Sequence, residues 1–144
     1  METHDIYNEN TDFELGKSYI HGNGNDIAIF AYGETVEIAL SAKKILEEQN
    51  LSVCVIDMYS IKPIDEKTVI DILKKCNKIL VVENHVQYGG LFSAISEIAC
   101  MKYPKLIKFI GINNFGKSGN PKDVFKMFNV TDENIVKEII NWKK

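Results

Sequence analysis

The sequence predicts an α/β protein in which helices cover both faces of a parallel sheet. Two observations predict this class of fold. Short, continuously apolar runs recur along the chain, which is typical of strands buried on both faces. Between them lie segments whose apolar residues repeat at helical spacing. Strands that alternate with helices in this way are joined by right-handed crossovers, and they therefore run parallel.

Four apolar runs are predicted as the parallel strands: residues 26–32, 52–58, 78–82 and 106–112. The first of these runs, DIAIFAY, ends at Gly33. A less regular segment, residues 13–20, is predicted as a short edge strand, and a turn rich in Gly and Asn follows it. His21 falls in that turn and His4 near the start of the chain, so we expect both side chains to be solvated.

Helices are predicted after each of the first three strands and at the C-terminal end of the chain. Their predicted bounds are residues 34–49, 66–76, 90–101 and 121–128, with a last helix after Thr131. The side chains of Asp65 and Thr131 are suited to cap the helices that follow them. Pro121 is suited to a first helical turn, where its missing N–H costs nothing.

The size and charge of the chain limit its class of function. A chain of 144 residues fits one domain with a single core, and we predict a tail or severed linker at residues 1–12 and the domain at 13–144. The net charge is -3, and acidic and basic residues are interleaved along the chain. This pattern predicts neither a nucleic acid nor a membrane surface as a partner. The sequence shows no signal-peptide pattern and no apolar run of bilayer length, so we expect a cytoplasmic protein.

The cysteine and glycine patterns argue against several kinds of site. Cys54, Cys76 and Cys100 form no CxxC pair, so we expect reduced thiols rather than a disulfide framework or a zinc site. Only one glycine follows the first strand, which is too few for a dinucleotide fingerprint. Residues 111–118 match the spacing of a phosphate-binding loop, but Pro121 interrupts the required helix, which leaves a nucleotide-binding function weak. We predict no catalytic residue and no metal ligand.

Polar residues and glycines gather where the predicted strands end. Ligands and partners of open α/β sheets meet the carboxyl ends of the strands, where helix N-termini offer free N–H groups. The candidate residues for a ligand or interface edge are Gly33, Glu34, Thr35, Glu83, Asn84, His85, Gly89 and Gly90. A helix N-terminus favours an anion, whereas the carboxylates of Glu34 and Glu83 repel one. The edge leaves open a second function, that of a small-ligand binding or regulatory module.

Glu83 and His85 allow two interpretations. They alternate along an extended segment, so both side chains could face the same side. In the first interpretation they form a hydrogen-bonded pair that faces a ligand or a partner subunit. In the second, they belong to a strand end whose polar groups cap neighbouring backbone. One histidine without a partnered nucleophile or further ligands makes neither a catalytic triad nor a metal site.

Three sets of segments together resemble the C-terminal domain of the transketolase family. They are residues 13–17 with 25–33, residues 55–65, and residues 83–85 with 89–91 and 114–119. The order and spacing of these motifs agree from about Phe13 to Trp142. The chain is most similar to the separate C-terminal sections of split transketolases. Related domains form the C-terminal parts of 1-deoxyxylulose-5-phosphate synthase and of the β subunits of 2-oxoacid dehydrogenases. The Phe-Gly-x-Ser-Gly loop favours transketolase over these two.

Two residues depart from the pattern of the family. The family motif Gly-Gly-Leu-Gly often has a fourth glycine, and Phe92 stands at that position here. Its bulk argues against a close approach of a ligand to the first helical turn. Lys117 stands where the Phe-Gly-Glu-Ser-Gly loop has a frequent acidic residue, which reverses the charge.

The resemblance implies a fold, an activity and partners. The fold would be a three-layer α/β/α sandwich with a mostly parallel, five-stranded mixed sheet, in which residues 13–20 form one antiparallel edge strand. The complete enzyme would transfer a two-carbon ketol unit between sugar phosphates with thiamine diphosphate and a divalent metal, Mg²⁺. This domain would bind no cofactor, would support subunit assembly, including homodimer contacts, and would be inactive alone. Its partners would be the remainder of the subunit and an N-terminal-section subunit, and Ser118 would join the candidate edge.

Overall fold

The computed structural model describes residues 5–113 and 119–142. Ten helices and strands follow one another in these residues. They are β1 (Tyr19–His21), β2 (Ile27–Ala31), α1 (Glu34–Glu48), β3 (Val53–Asp57), α2 (Glu66–Lys75), β4 (Lys78–Val86), α3 (Leu91–Lys102), β5 (Ile107–Ile112), α4 (Pro121–Met127) and α5 (Asp132–Ile140). In this part of the chain, no helix is both long and apolar enough to cross a membrane.

The five strands form one mixed sheet in the order β1-β3-β2-β4-β5. β1 pairs antiparallel with β3, and the other three pairs of neighbours are parallel. The central strands are the buried ones because they are the most continuously apolar, and the short β1 lies at the edge. This topology confirms the predicted fold class, a mostly parallel five-stranded sheet with one antiparallel edge strand.

Each face of the sheet has its own hydrophobic core. Alternate residues of a strand point to opposite faces, so Ile27 and Ile29 of β2 enter one core while Phe30 enters the other. The first core is completed by α1, α4 and α5, and the second by α2 and α3. Fully burying an aliphatic or aromatic side chain of this size stabilises the fold by roughly 1.5–3 kcal/mol, so these two layers hold the helices to the sheet.

Two strands differ from their predicted bounds by more than one residue at an end. β1 spans only Tyr19–His21, so residues 13–18 lie outside it, and His21 is half-buried in the strand rather than solvated in a turn. β4 continues beyond the predicted end at residue 82 as far as Val86. The reason is that β5 keeps pairing with it past an irregularity, with Val86 opposite Ile112. The exposed polar residues Asn84 and His85 resemble a loop in the sequence although they are part of the strand.

Three helix caps stabilise the fold. The carboxylate of Asp65 accepts a hydrogen bond from the Thr68 N–H at 3.1 Å, and the hydroxyl of Thr131 accepts one from the Asn134 N–H at 3.2 Å. Both caps confirm the sequence prediction. Asn120 caps α4 in the same way through the N–H of residue 122, at 3.1 Å. Each such cap stabilises a helix by about 1 kcal/mol.

Residues 5–18 lie against the β1 edge of the sheet. Ile6 packs on the core beneath α1, and the Tyr7 hydroxyl donates a hydrogen bond to Asp57 at 2.5 Å. Further along, the Gly16 N–H donates to the Ser60 hydroxyl at 3.0 Å, and the hydroxyl of Ser18 donates to a carboxylate at the start of α2 at 2.9 Å. The described part of residues 1–12 thus contacts the domain, and its role as a linker stays a prediction.

Candidate functional site

The carboxyl ends of β2 and β4 meet at one edge, where Thr35 links them. Gly33 takes up the left-handed conformation that glycine tolerates, with φ at 56°, and starts α1. The buried Thr35 hydroxyl lies 2.8 Å from the carbonyl oxygen of Tyr32 and 3.0 Å from that of Val82. This contact joins the first turn of α1 to both strands. Glu34, between Gly33 and Thr35 in sequence, is half-buried.

Glu83 is a fully buried carboxylate that caps α3, the helix that follows β4. Its Oε2 accepts a hydrogen bond from the Leu91 N–H at 2.8 Å, and its Oε1 accepts one from the Phe92 N–H at 3.0 Å. Hydrogen bonds to an ionised group are stronger than neutral ones, and the helix dipole favours a negative charge at this end. Glu83 therefore fixes the start of α3 against the end of β4.

The Gly89-Gly90 pair is required by this arrangement. Gly89 has a positive φ of 81°, and a side chain on Gly90 would have no space. A Cβ atom there would lie 2.3 Å from Oε2 of Glu83 and 2.9 Å from Nδ1 of His85. Both side chains approach Gly90, so Glu83 and His85 lie on the same side of the segment.

His85 belongs to an exposed segment that we call the tip of β4, formed by the last three residues of the strand, 84–86, and the two residues that follow it, 87 and 88. Its Nδ1 lies 2.8 Å from the carbonyl oxygen of Val86, and in the described part of the chain no hydrogen bond joins it to Glu83. Asn84 is exposed as well. The apolar side chains of the tip are open to solvent, with Val86 42% and Tyr88 78% exposed. The tip thus presents a surface of mixed polarity.

Two aromatic residues at the edge were not among the predicted candidates. The phenol of Tyr32 is half-buried, and burial raises its pKa, with a further rise from the neighbouring Glu83 carboxylate. Phe92, at the fourth position of the family's glycine motif, packs its ring 5.2 Å from that of Phe109 on β5. Its bulk is thus used in packing between α3 and the sheet. Tyr32 could have been found from its position directly before the glycine that ends β2.

A surface cavity of about 560 Å³ lies beside this edge, between α3 and residues 61–66. Apolar side chains line part of it, and its charged residues are Lys62, Glu66, Glu97 and Lys102. Two positive and two negative groups give no preference for an anion or a cation. Among the described residues, no three His, Cys, Asp or Glu side chains come together in a group that could hold a metal ion.

The structure brings most of the predicted edge residues together. Gly33 and Thr35 start α1 beside the end of β4, and Glu83, His85 and Gly90 form the contact between β4 and α3. Ser118 lies outside the described residues. The hydrogen bonds of the edge therefore connect helices to strands. Glu83 accepts from the N–H groups that start α3, and Thr35 links α1 to both strands. The tip of β4 projects from this edge.

The fold and the site together define an α/β domain with a mostly parallel sheet, an antiparallel edge strand and a Glu-Asn-His tip. Comparison with known proteins identifies its family. Residues 16–135 match the family model described as "Transketolase, C-terminal domain". The chain belongs to the transketolase C-terminal domain family.

Individual relatives agree with this assignment. The chain is 40% identical over 139 residues to a protein of Methanocaldococcus jannaschii described as a transketolase C-terminal section, a match that covers 94% of this chain and 43% of that protein. It is 34% identical over 143 residues to one of the subunits of the apulose-4-phosphate transketolase of Phocaeicola vulgatus, covering 97% of this chain and 45% of the relative. The chain thus spans less than half the length of these two relatives.

A solved structure shows the same fold. It is described as "Split gene transketolase, inactive beta4 tetramer", and it superposes with a TM-score of 0.89 at 27% identity. The match covers 94% of this chain and 45% of that one. Both the family and the predicted similarity to split transketolases are therefore confirmed.

Proposed function

We propose that this chain serves as the C-terminal domain of a thiamine-diphosphate-dependent transketolase. The complete enzyme would transfer a two-carbon ketol unit between sugar phosphates. The domain supports the assembly of subunits and is not catalytic by itself. The observation that carries this proposal is the match of nearly the whole chain to a C-terminal section and to a subunit of transketolases.

The geometry of the carboxyl edge supports an assembly role over a ligand-binding one. An anion at the start of α3 would need the N–H groups of Leu91 and Phe92, but both already donate to Glu83. The same carboxylate would repel a phosphate or diphosphate. Among the described residues, no comparable contact favours either of the two other functions, that of a small-ligand module or that of a nucleotide-binding domain.

The described residues do not fit the cofactor of the family. Thiamine diphosphate requires hydrogen-bond donors for its diphosphate and oxygen ligands for Mg²⁺. At this edge, the carboxylate oxygens of Glu83 are already hydrogen-bonded to the N–H groups that start α3. We therefore assign no step of the reaction to this domain. In the complete enzyme, the cofactor and the metal would be held by other domains.

The exposed tip of β4 is the part of the predicted edge best suited to a subunit contact. Its residues lie at the surface, and Tyr88 offers an aromatic ring, a residue type enriched in interfaces. The partners would be the remainder of the subunit and an N-terminal-section subunit, with contacts between copies. The description of the related split-gene transketolase as a tetramer supports self-association. A cytoplasmic location is part of the proposal.

Two related enzyme classes remain as alternatives in the sequence, and the comparisons favour neither. The relatives and the solved structure described above are all named transketolases or parts of one. An equivalent domain of 1-deoxyxylulose-5-phosphate synthase or of a 2-oxoacid dehydrogenase β subunit has no such support here.

Reconstitution tests the proposal. Two samples are assayed for ketol transfer from a ketose phosphate to an aldose phosphate. The first is the isolated chain, and the second is the complete subunit mixed with its N-terminal-section partner. We expect activity in the mixture only, and no heat of binding when thiamine diphosphate and Mg²⁺ are titrated into the isolated chain. Ketol transfer by the isolated chain, or stoichiometric binding of the cofactor to it, would contradict the proposal.

A further inference from the structure

Two cysteines that are far apart in sequence meet in the core beneath α2. Cys54 lies in β3 and Cys76 directly follows α2, and their sulfur atoms are 4.0 Å apart. Both side chains are completely buried, whereas Cys100 on α3 is exposed. The spacing of the cysteines in the sequence gives no sign of this pairing, because the topology alone places the end of α2 beside β3.

We propose that Cys54 and Cys76 are a redox-active dithiol, which a hydroperoxide converts into a disulfide that links β3 to the end of α2. The proposal concerns a modification site and does not depend on the transketolase activity. Its failure would therefore leave the proposed function untouched.

The surroundings of the two sulfur atoms assign them different roles. The contact between the two sulfur atoms, in which either thiol can be the donor, lowers the pKa of Cys76 and, together with burial, raises the pKa of Cys54. The ammonium groups of Lys75 and Lys105 add to the lowering at Cys76, while burial opposes it. The Lys105 ammonium is held in place by the carbonyl oxygens of Leu73, at 2.6 Å, and of Cys76, at 2.5 Å. Because the thiolate is the nucleophile, Cys76 would attack the oxidant and Cys54 would resolve the product.

The chemistry balances with one peroxide. The Cys76 thiolate attacks one oxygen of the O–O bond, which forms a sulfenic acid on Cys76 and releases hydroxide, or an alkoxide from an organic peroxide. The sulfur of Cys54 then attacks the sulfenic sulfur, and the proton of its thiol leaves with the OH group as water. The hydroxide takes a proton from solvent. Two sulfur atoms are oxidised by one electron each, and the peroxide is reduced by two electrons.

Access to the pair requires a local opening at the end of α2. The Cys76 N–H donates to the carbonyl oxygen of Ile72 at 2.9 Å, and the Asn77 N–H donates to that of Asp26 at 2.9 Å. Lys75 and Asn77 on either side of Cys76 are exposed, so this turn lies at the surface and can open without unfolding the sheet. The sulfur atoms must then close from 4.0 Å to the bonding distance of about 2 Å. We therefore expect the disulfide to form more slowly than Cys100 reacts.

Peptide mapping after oxidation tests the proposal. The reduced chain is treated with hydrogen peroxide, its remaining thiols are blocked, and it is digested without reduction. We expect a peptide that links Cys54 to Cys76, and its loss on treatment with dithiothreitol. The variant C100S removes the exposed thiol and should retain this linked peptide, while C54S and C76S should each lose it.

The chain oxidised in urea provides the second comparison. In the unfolded chain all three pairings of the cysteines compete, whereas the folded chain should give the Cys54–Cys76 pairing alone. The proposal is overturned if the folded wild-type chain still yields no such peptide when oxidation is continued well beyond the complete reaction of Cys100. A distribution of pairings that is the same with and without urea would overturn it too. Both readouts come from the wild-type chain, so they stand even if a cysteine variant fails to fold.

Discussion

At Gly90, a single hydrogen atom in place of a side chain allows β4 and α3 to join. A Cβ atom at this position would lie 2.3 Å from Oε2 of Glu83, which cannot move away cheaply because both of its oxygens hold N–H groups of α3. We expect Gly90→Ala to lower the free energy of unfolding by about 1–3 kcal/mol, as overpacking does in other proteins. Denaturation in urea measures this change.

Gly119→Ala is the matched control for that substitution. Among the residues that the structure describes, a Cβ atom at Gly119 would meet only an ordinary contact, 3.5 Å from a methyl group of Val124. We expect a change within about 0.5 kcal/mol, as is usual for surface substitutions. Equal stability of the two variants would show that the space around Gly90 is not restricted.

Glu83, with its buried carboxylate, is the second residue on which the contact between β4 and α3 depends. Glu83→Gln keeps one oxygen for the α3 N–H groups but places an amide NH₂ against the other, so one buried N–H loses its acceptor. We expect a loss of about 1–3 kcal/mol in urea denaturation, the cost of an unsatisfied buried donor. Glu97→Gln, on the exposed side of the same helix, should leave stability nearly unchanged. A Glu83→Gln variant as stable as wild type would argue against the capping role.

At the scale of elements, the N-terminal segment is docked on β1 through a chain of polar groups. The His21 Nε2 lies 3.0 Å from the Tyr7 hydroxyl, which donates to Asp57. Burial lowers the pKa of His21 below its ordinary value of 6.5, the nearby Lys43 adds to this, and Asp57 opposes it. Between the lowered and the ordinary value, the unfolded chain binds a proton that the folded chain does not.

This pKa shift predicts how the stability of the domain depends on pH. The contribution of His21 to stability is present above the ordinary pKa of 6.5 and is lost as the pH falls through the window below it. We expect the wild type to lose more stability than His21→Gln when the pH is lowered from about 7.5 to about 5.5. Asp57, whose pKa burial raises, contributes with the opposite sign. Because His21 lowers the pKa of Asp57, removing His21 strengthens the Asp57 contribution and widens the difference in the expected direction. Parallel stability curves would contradict the prediction.

The sequence predicts the central elements well and the edges poorly, for a physical reason. The central strands are buried on both faces, so their apolar runs are continuous, as in β2. The short β1 has exposed residues and gives no such signal. The end of β4 is a strand because of its pairing with β5, which the exposed residues Asn84 and His85 do not reveal.

The candidate site could be located from sequence, but its contacts could not. The positions of the glycines and of the Glu-Asn-His tip follow from the strand ends, and the structure gathers most of them at one edge. The partners of Glu83 are set by the path of the loop that leads to α3, a path that no local pattern encodes. Both interpretations of Glu83 are therefore open in the sequence, and the structure shows its carboxylate capping α3.

At the scale of the whole molecule, the tip of β4 is the proposed surface for contacts between subunits. Tyr88 is 78% exposed, and if it is buried in a contact, Tyr88→Ser should weaken self-association at least tenfold, about 1.4 kcal/mol. Met101→Ser is the matched control because Met101 is 79% exposed on α3. Sedimentation over a range of protein concentrations measures both. An equal effect of the two substitutions would argue against the tip as an interface.

The most direct test of the central claim is a deletion in the complete enzyme. The enzyme with and without residues 13–144 is compared by sedimentation and by its rate of ketol transfer. If the domain serves assembly, the truncated enzyme should lose its assembled mass, and its activity should fall in parallel. An enzyme that keeps both its assembled mass and its activity without this domain would contradict the account.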